Sequence, residues 1–86
     1  MNSSAPHKIH ALRVLARMGG QPMPDSALRN SLLLGFRHDG ITRTQADAAV
    51  RDLDAEGHLI GLKDELTGEI NWSLTAKGEA AAARHG

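Results

Sequence analysis

Apolar side chains recur at helical spacing from the start of the chain. Ile9, Leu12 and Ala16, joined by Ala11, Leu15 and Met18, mark one face of a helix over about residues 6–18. Ser4 is placed to cap it and Gly19-Gly20 to end it. The run Gln21-Pro22-Met23-Pro24 cannot continue a helix, but proline suits a first helical position. Pro24 is therefore expected to open a second helix over about residues 24–34, with Leu28 and Leu32 on one face and Gly35 near its end.

Phe36 to Gly40 is a connector of glycine and charged residues. Thr42-Arg43-Thr44-Gln45 then matches a capping box, in which Thr42 caps the backbone, Gln45 reaches back and Ile41 staples onto Ala46. Ala46, Ala49, Val50 and Leu53 form one apolar stripe and Glu56-Gly57 ends it, giving a third helix over about residues 42–56.

The period next changes from helical to alternating. His58 to Lys63 and Glu69 to Leu74 read as two antiparallel strands, with Ile70, Trp72 and Leu74 on one face and Glu69, Asn71 and Ser73 on the other. Asp64 to Gly68 reads as the hairpin loop, with Gly68 supplying the unusual backbone angle. Thr75 can cap a last helix through Ala76 to Ala83, a good helix-forming stretch despite Gly78. No internal repeat and no interdomain linker interrupts the chain.

Two segments carry a resemblance. Ala49-Val50-Arg51-Asp52-Leu53-Asp54-Ala55-Glu56-Gly57-His58-Leu59-Ile60, followed by Trp72-Ser73-Leu74-Thr75-Ala76-Lys77-Gly78-Glu79-Ala80, resembles the course of small winged-helix regulators: third helix, Glu-Gly-x-Leu-Ile, hairpin, Leu-Thr-x-x-Gly. The resemblance spans residues 8–83 and implies an α+β, mainly α, fold. It would comprise a three-helix core, a two-stranded β-hairpin wing and a C-terminal helix, with the third helix able to lie in a DNA major groove. In length and layout the chain is also similar to small uncharacterised proteins of Mu-like phages, which implies a phage or prophage origin.

Composition narrows the class. The chain is 41% hydrophobic and 23% charged over 86 residues, the balance of one small packed domain with an ordered core over about residues 6–84. It has no cysteine, which excludes disulfides and thiolate zinc sites and suits the cytoplasm. The N-terminus lacks the apolar run of a signal peptide, and no stretch reaches the ~20 apolar residues of a membrane span.

Net charge is zero, but its distribution is uneven. Residues 1–46 carry six basic against two acidic side chains (+4), and residues 47–86 carry four against eight (−4). The molecule is electrically polar if the fold keeps the two halves apart.

On the third helix, Arg43, Thr44, Asp47, Ala48 and Arg51 lie opposite the apolar stripe, with Gln45 near the edge. Arg43 and Arg51 can reach guanine edges or phosphates, and Thr44 and Gln45 can donate hydrogen bonds. Lys63 in the wing, and Arg37 and His38 in the connector, can supply phosphate contacts. Against this stand Asp47, Asp52, Asp54 and Glu56 on the helix and Asp64, Glu65 and Glu69 on the wing. Two readings therefore stay open: a regulator of double-stranded DNA, and a protein-binding or dimerisation module that does not bind DNA.

Other chemistry is not signalled. His7-x-x-His10 can place two imidazoles on one side of a helix, but no third ligand is signalled nearby, so no metal site is expected. Trp72 and Phe36 read as core residues rather than stacking platforms. No nucleophile and base arrangement and no phosphate-binding glycine pattern is present, so neither an enzyme nor a cofactor is expected. The alanine-rich end, Glu79 to Ala83, suits either a homodimer contact or a packed terminal helix.

Overall fold

A computed structural model describes residues 5–85. Its elements run α1 (Ala5–Arg17), β1 (Met23–Pro24), α2 (Asp25–Gly35), a 3₁₀ turn (Arg37–Asp39), α3 (Arg43–Ala55), β2 (Leu59–Lys63), β3 (Ile70–Leu74) and α4 (Ala76–His85). The order is the mainly helical α+β arrangement expected. Ser4, expected to cap α1, lies outside the described residues.

The capping box of α3 forms in full. Thr42 Oγ1 accepts the Gln45 backbone N–H at 3.1 Å, and Gln45 Oε1 accepts the Thr42 N–H at 2.9 Å. Ile41 packs against the core beside it, and Phe36 is likewise half-buried on the core. Gly57, with φ 81, reverses the chain after α3.

The expected two-stranded hairpin forms as β2–β3, and a further short strand joins it. The sheet has three strands in the order β1-β3-β2, all antiparallel. Met23 pairs with Trp72 and Pro24 with Asn71, so the proline-rich connector lies as a short edge strand on β3. Pro24 consequently serves as the N-cap of α2, in an extended conformation (φ −58, ψ 144), and not as its first helical residue. Two residues are too few to show a period, and only the pairing with β3 defines them.

In the hairpin, Gly68 takes φ 75 and donates to the Asp64 carbonyl at 2.7 Å, while Asp64 Oδ1 accepts the Leu66 N–H at 2.8 Å. Trp72 is buried, but Ile70, expected on the same core-facing row, is 39% exposed. The hairpin runs past the edge of the core before Ile70 is reached. Gly61 lies beneath Trp72: a Cβ there would approach the indole Cζ3 to 2.7 Å.

Leu28, Leu32, Val50 and Leu53 are the largest fully buried side chains, ringed by Leu12, Leu15, Leu59 and Trp72. α4 packs along α1, burying Ala81 and Ala82, which spends half of the alanine run inside this chain. Gly78 lets α4 also approach the chain just after α3, because a Cβ would fall 2.1 Å from the His58 carbonyl oxygen. Thr75 Oγ1 accepts the Gly78 N–H at 3.1 Å, capping α4, and donates to the Gly57 carbonyl at 2.6 Å. The Leu-Thr-x-x-Gly unit is thus a clasp between α4 and the end of α3.

Candidate nucleic-acid interface

The four buried residues of α3 fix which side of it faces outward. At about 100° per residue, Thr44, Ala48, Arg51 and Ala55 fall opposite Ala46, Ala49, Val50 and Leu53. Arg43 and Asp47 lie on the flank toward α2, where a groove of about 650 Å³ is lined by Asp25, Arg29, Leu33, Arg43, Thr44 and Asp47. Asp52 and Glu56 lie on the opposite flank.

A chain of charges crosses this groove. Trp72 Nε1–H donates to Asp25 Oδ1 at 2.8 Å, and Arg29 Nε–H donates to Asp25 Oδ2 at 2.8 Å. Arg29 Nη1 donates onward to Asp47 Oδ1, and Asp47 Oδ2 holds Arg51 Nε as an ion pair at 3.0 Å. Both carboxylates therefore spend both oxygens, and three elements, β3, α2 and α3, are joined through them. Burial alone would raise the Asp25 carboxyl, but the bonds from Arg29 and Trp72 outweigh it and hold its pKa below the ordinary value. Burial likewise disfavours the charged Arg29, and Asp25 and Asp47 more than offset it.

The structure brings Arg43, Thr44 and Arg51 together on α3. Gln45 lies near them, but its side-chain oxygen is engaged in the capping box. Arg37 and His38 are exposed on the 3₁₀ turn before α3, and Lys63 is exposed at the far end of β2. Arg37, Arg43 and Lys63 make no ion pair among the described residues.

The acidic residues are less free than their number suggests. Glu69 Oε1 accepts the Ser26 backbone N–H at 2.8 Å, so a wing carboxylate caps α2, whose own N-cap offers no side chain. That bond lowers the Glu69 pKa. Asp64 is engaged in the hairpin turn, Asp47 between two arginines, and Glu56 pairs with Lys8 at 2.8 Å, a hydrogen bond that lowers its own pKa. Lys8–Glu56 and Arg29–Asp47 also join the basic and acidic halves of the sequence, which the fold does not keep apart.

The sequence does not single out Asp25 or Arg29, and it marks Glu69 only as an acid of the wing, not as a cap of α2. Only the Asp-x-x-x-Arg spacing at 25/29 and 47/51, which sets opposite charges one helical turn apart, signalled part of the network.

The histidine pair of α1 faces Phe36. The His7 and His10 rings stand edge-on to it at 4.7 and 5.4 Å, and His10 Nε2 lies 3.2 Å from Ser31 Oγ. Burial lowers the His10 pKa. No group of three or more potential metal ligands occurs among the described residues. No helix among them is long and apolar enough to cross a membrane.

No family model matches the chain, and no curated protein matches it. Solved structures do. The adhesin competence repressor of Streptococcus pyogenes superposes with a TM-score of 0.66 at 19% identity, over 99% of this chain and 55% of that one. A probable transcriptional regulator from Pseudomonas aeruginosa superposes with a TM-score of 0.65 at 27% identity, over 96% of this chain and 61% of that one. The chain thus spans little more than half the length of these neighbours. Three helices, a three-stranded sheet ending in a hairpin and a closing helix, shared with these regulators, establish that the chain has the winged-helix fold.

Proposed function

We propose that the protein is a non-enzymatic regulator that binds double-stranded DNA, with α3 in the major groove and the β2–β3 hairpin beside the backbone. The observation that carries this reading is the outward stripe of α3, where Thr44, Ala48 and Arg51 present small or basic groups beside Arg43, which makes no ion pair among the described residues. Arg51 serves the groove, Thr44 and Gln45 donate hydrogen bonds at its edge, and Arg37, Arg43 and Lys63 meet phosphates. Two features support the reading further: the likeness to a repressor and a transcriptional regulator, and the pairing of Asp47 with Arg29 and Arg51, which offsets the repulsion that this acid of α3 would otherwise exert on DNA.

The same reading takes residues 1–86 as one domain of a cytoplasmic protein, working as a homodimer so that two copies of α3 address successive half-sites. It takes no cofactor and no metal. A phage or prophage origin, suggested by length and layout, belongs to it as well.

Fluorescence anisotropy of the full chain with mixed-sequence duplexes tests it. Binding at low salt that falls at least tenfold in the double variant Arg43→Ala, Arg51→Ala is expected. Absence of binding at low salt, or binding indifferent to both arginines, would overturn it.

A second reading, a protein-contact module, is favoured by one observation. Ile60, Leu62 and Leu66 are exposed on the wing, Leu66 to 96%, next to an exposed Glu65. Light scattering decides its simplest form: self-association abolished by Leu62→Ser with duplex binding absent would favour it over DNA recognition.

A further inference from the structure

Arg51 differs from every other exposed arginine of this surface in being held. Its Nε lies 3.0 Å from Asp47 Oδ2 in an ion pair, while its side chain remains 77% exposed. That grip leaves both Nη groups without a protein partner among the described residues. Asp47 cannot swing away, because its other oxygen is bound by Arg29, and Arg29 is bound by Asp25, which is itself held by the Trp72 indole. Exposure rises along the series, from 27% at Asp25 and Arg29 to 33% at Asp47 and 77% at Arg51. A partly buried anchor thus ends in a presented guanidinium.

The geometry points to Arg51 as a preorganised reader of one guanine in the major groove, with Asp47, Arg29 and Asp25 as the positioning residues that aim it. The inference rests on the DNA-binding reading above. A guanidinium drawn to a carboxylate on its Nε side leaves its Nη1/Nη2 edge, two parallel donors in a plane, toward the groove. Guanine is the base that offers two acceptors, O6 and N7, in that groove. Adenine sets a donor beside its N7, cytosine offers a donor, and thymine offers one acceptor beside a methyl.

Holding the side chain in advance reduces the rotamer entropy lost on binding. The Arg29 charge, shared between Asp25 and Asp47, offsets part of the repulsion between the aiming carboxylate and phosphates. Thr44 and Ala48 on the same stripe are short and let the helix approach the base edges. Arg43, which makes no such pair, is left for a phosphate, which needs charge more than aim.

Selection of binding sites by the full chain from a pool of random duplexes tests this. Sites recovered by the wild type should share an invariant G·C pair. Arg51→Lys should lose that preference and bind the selected site about 5- to 150-fold more weakly, the range for one bidentate base contact. Asp47→Ala should lose the same preference while binding unselected duplex as well as the wild type or better, since it removes a negative charge. A merely structural role for Asp47 would weaken both kinds of binding together.

Recovered sites with no fixed guanine, or an Asp47→Ala protein that keeps the guanine, would overturn the inference and leave DNA binding standing. Failure to retain any duplex at low salt would overturn both. Far-ultraviolet circular dichroism of each variant, expected to match the wild type, separates loss of aim from loss of fold.

Discussion

Single atoms decide several features of this fold. At Gly78 an added methyl would meet the His58 carbonyl at 2.1 Å, so the α4 backbone would have to lift from the end of α3. Gly78→Ala would gain about 1 kcal/mol of helix propensity, yet forced overpacking of this kind costs about 1–3 kcal/mol. Contact with a backbone atom, which cannot swing aside, puts this site at the upper end. A net loss near 2 kcal/mol lowers Tm by about 10 °C in a domain of this size, and thermal melting checks it. Asp25 makes a different prediction, one of pH. Its carboxyl in the folded chain binds a proton less readily than in the unfolded chain, so the unfolded state takes up the proton first as pH falls. The contribution of Asp25 is therefore complete above the ordinary aspartate range and is lost as pH drops through it. Urea titrations between about pH 5 and pH 2 should show an acid loss of stability that is reduced in Asp25→Asn.

At the scale of elements, caps explain how short helices hold their places. Thr42→Ala removes the hydroxyl that accepts the Gln45 N–H at the start of α3, while the backbone bond to Gln45 Oε1 can persist, and should cost about 0.5–2 kcal/mol by urea denaturation. Glu69→Ala should leave α2 without an acceptor at its N-terminus and speed amide exchange at Ser26, whose N–H it receives. The difference between these two caps shows what a sequence can disclose. Thr42 and Gln45 are three residues apart, so the box was visible in the sequence, as were Gly68 at the turn and Trp72 in the core. Glu69 reaches Ser26 across 43 positions, and Met23–Pro24 becomes a strand only because Trp72 and Asn71 lie beside it. Local chemistry cannot announce such pairings. Of the charge chain on α2 and α3, the two Asp-to-Arg steps within a helix carried a signal, and the steps from Trp72 to Asp25 and from Arg29 to Asp47 carried none. Ile70 shows the reverse error: alternation identifies a face of the hairpin but not how far the core extends beneath it.

For the whole molecule, zero net charge goes with pairing between the basic and acidic halves of the sequence. Cross-pairs such as Lys8–Glu56 and Arg29–Asp47 neutralise much of the apparent polarity of the sequence, and Arg37, Arg43 and Lys63 are among the cations left without an ion pair among the described residues. That distribution predicts a modest electrostatic share in DNA binding, about three phosphate contacts per copy of the chain. The most direct test of the central claim, that this winged helix binds DNA through α3, is the salt dependence of duplex affinity. A plot of log K against log salt should fall with a slope of about −3 per copy, and Lys63→Gln should reduce it by about 1. No duplex binding at low salt, or affinity unchanged as salt rises, would contradict the account.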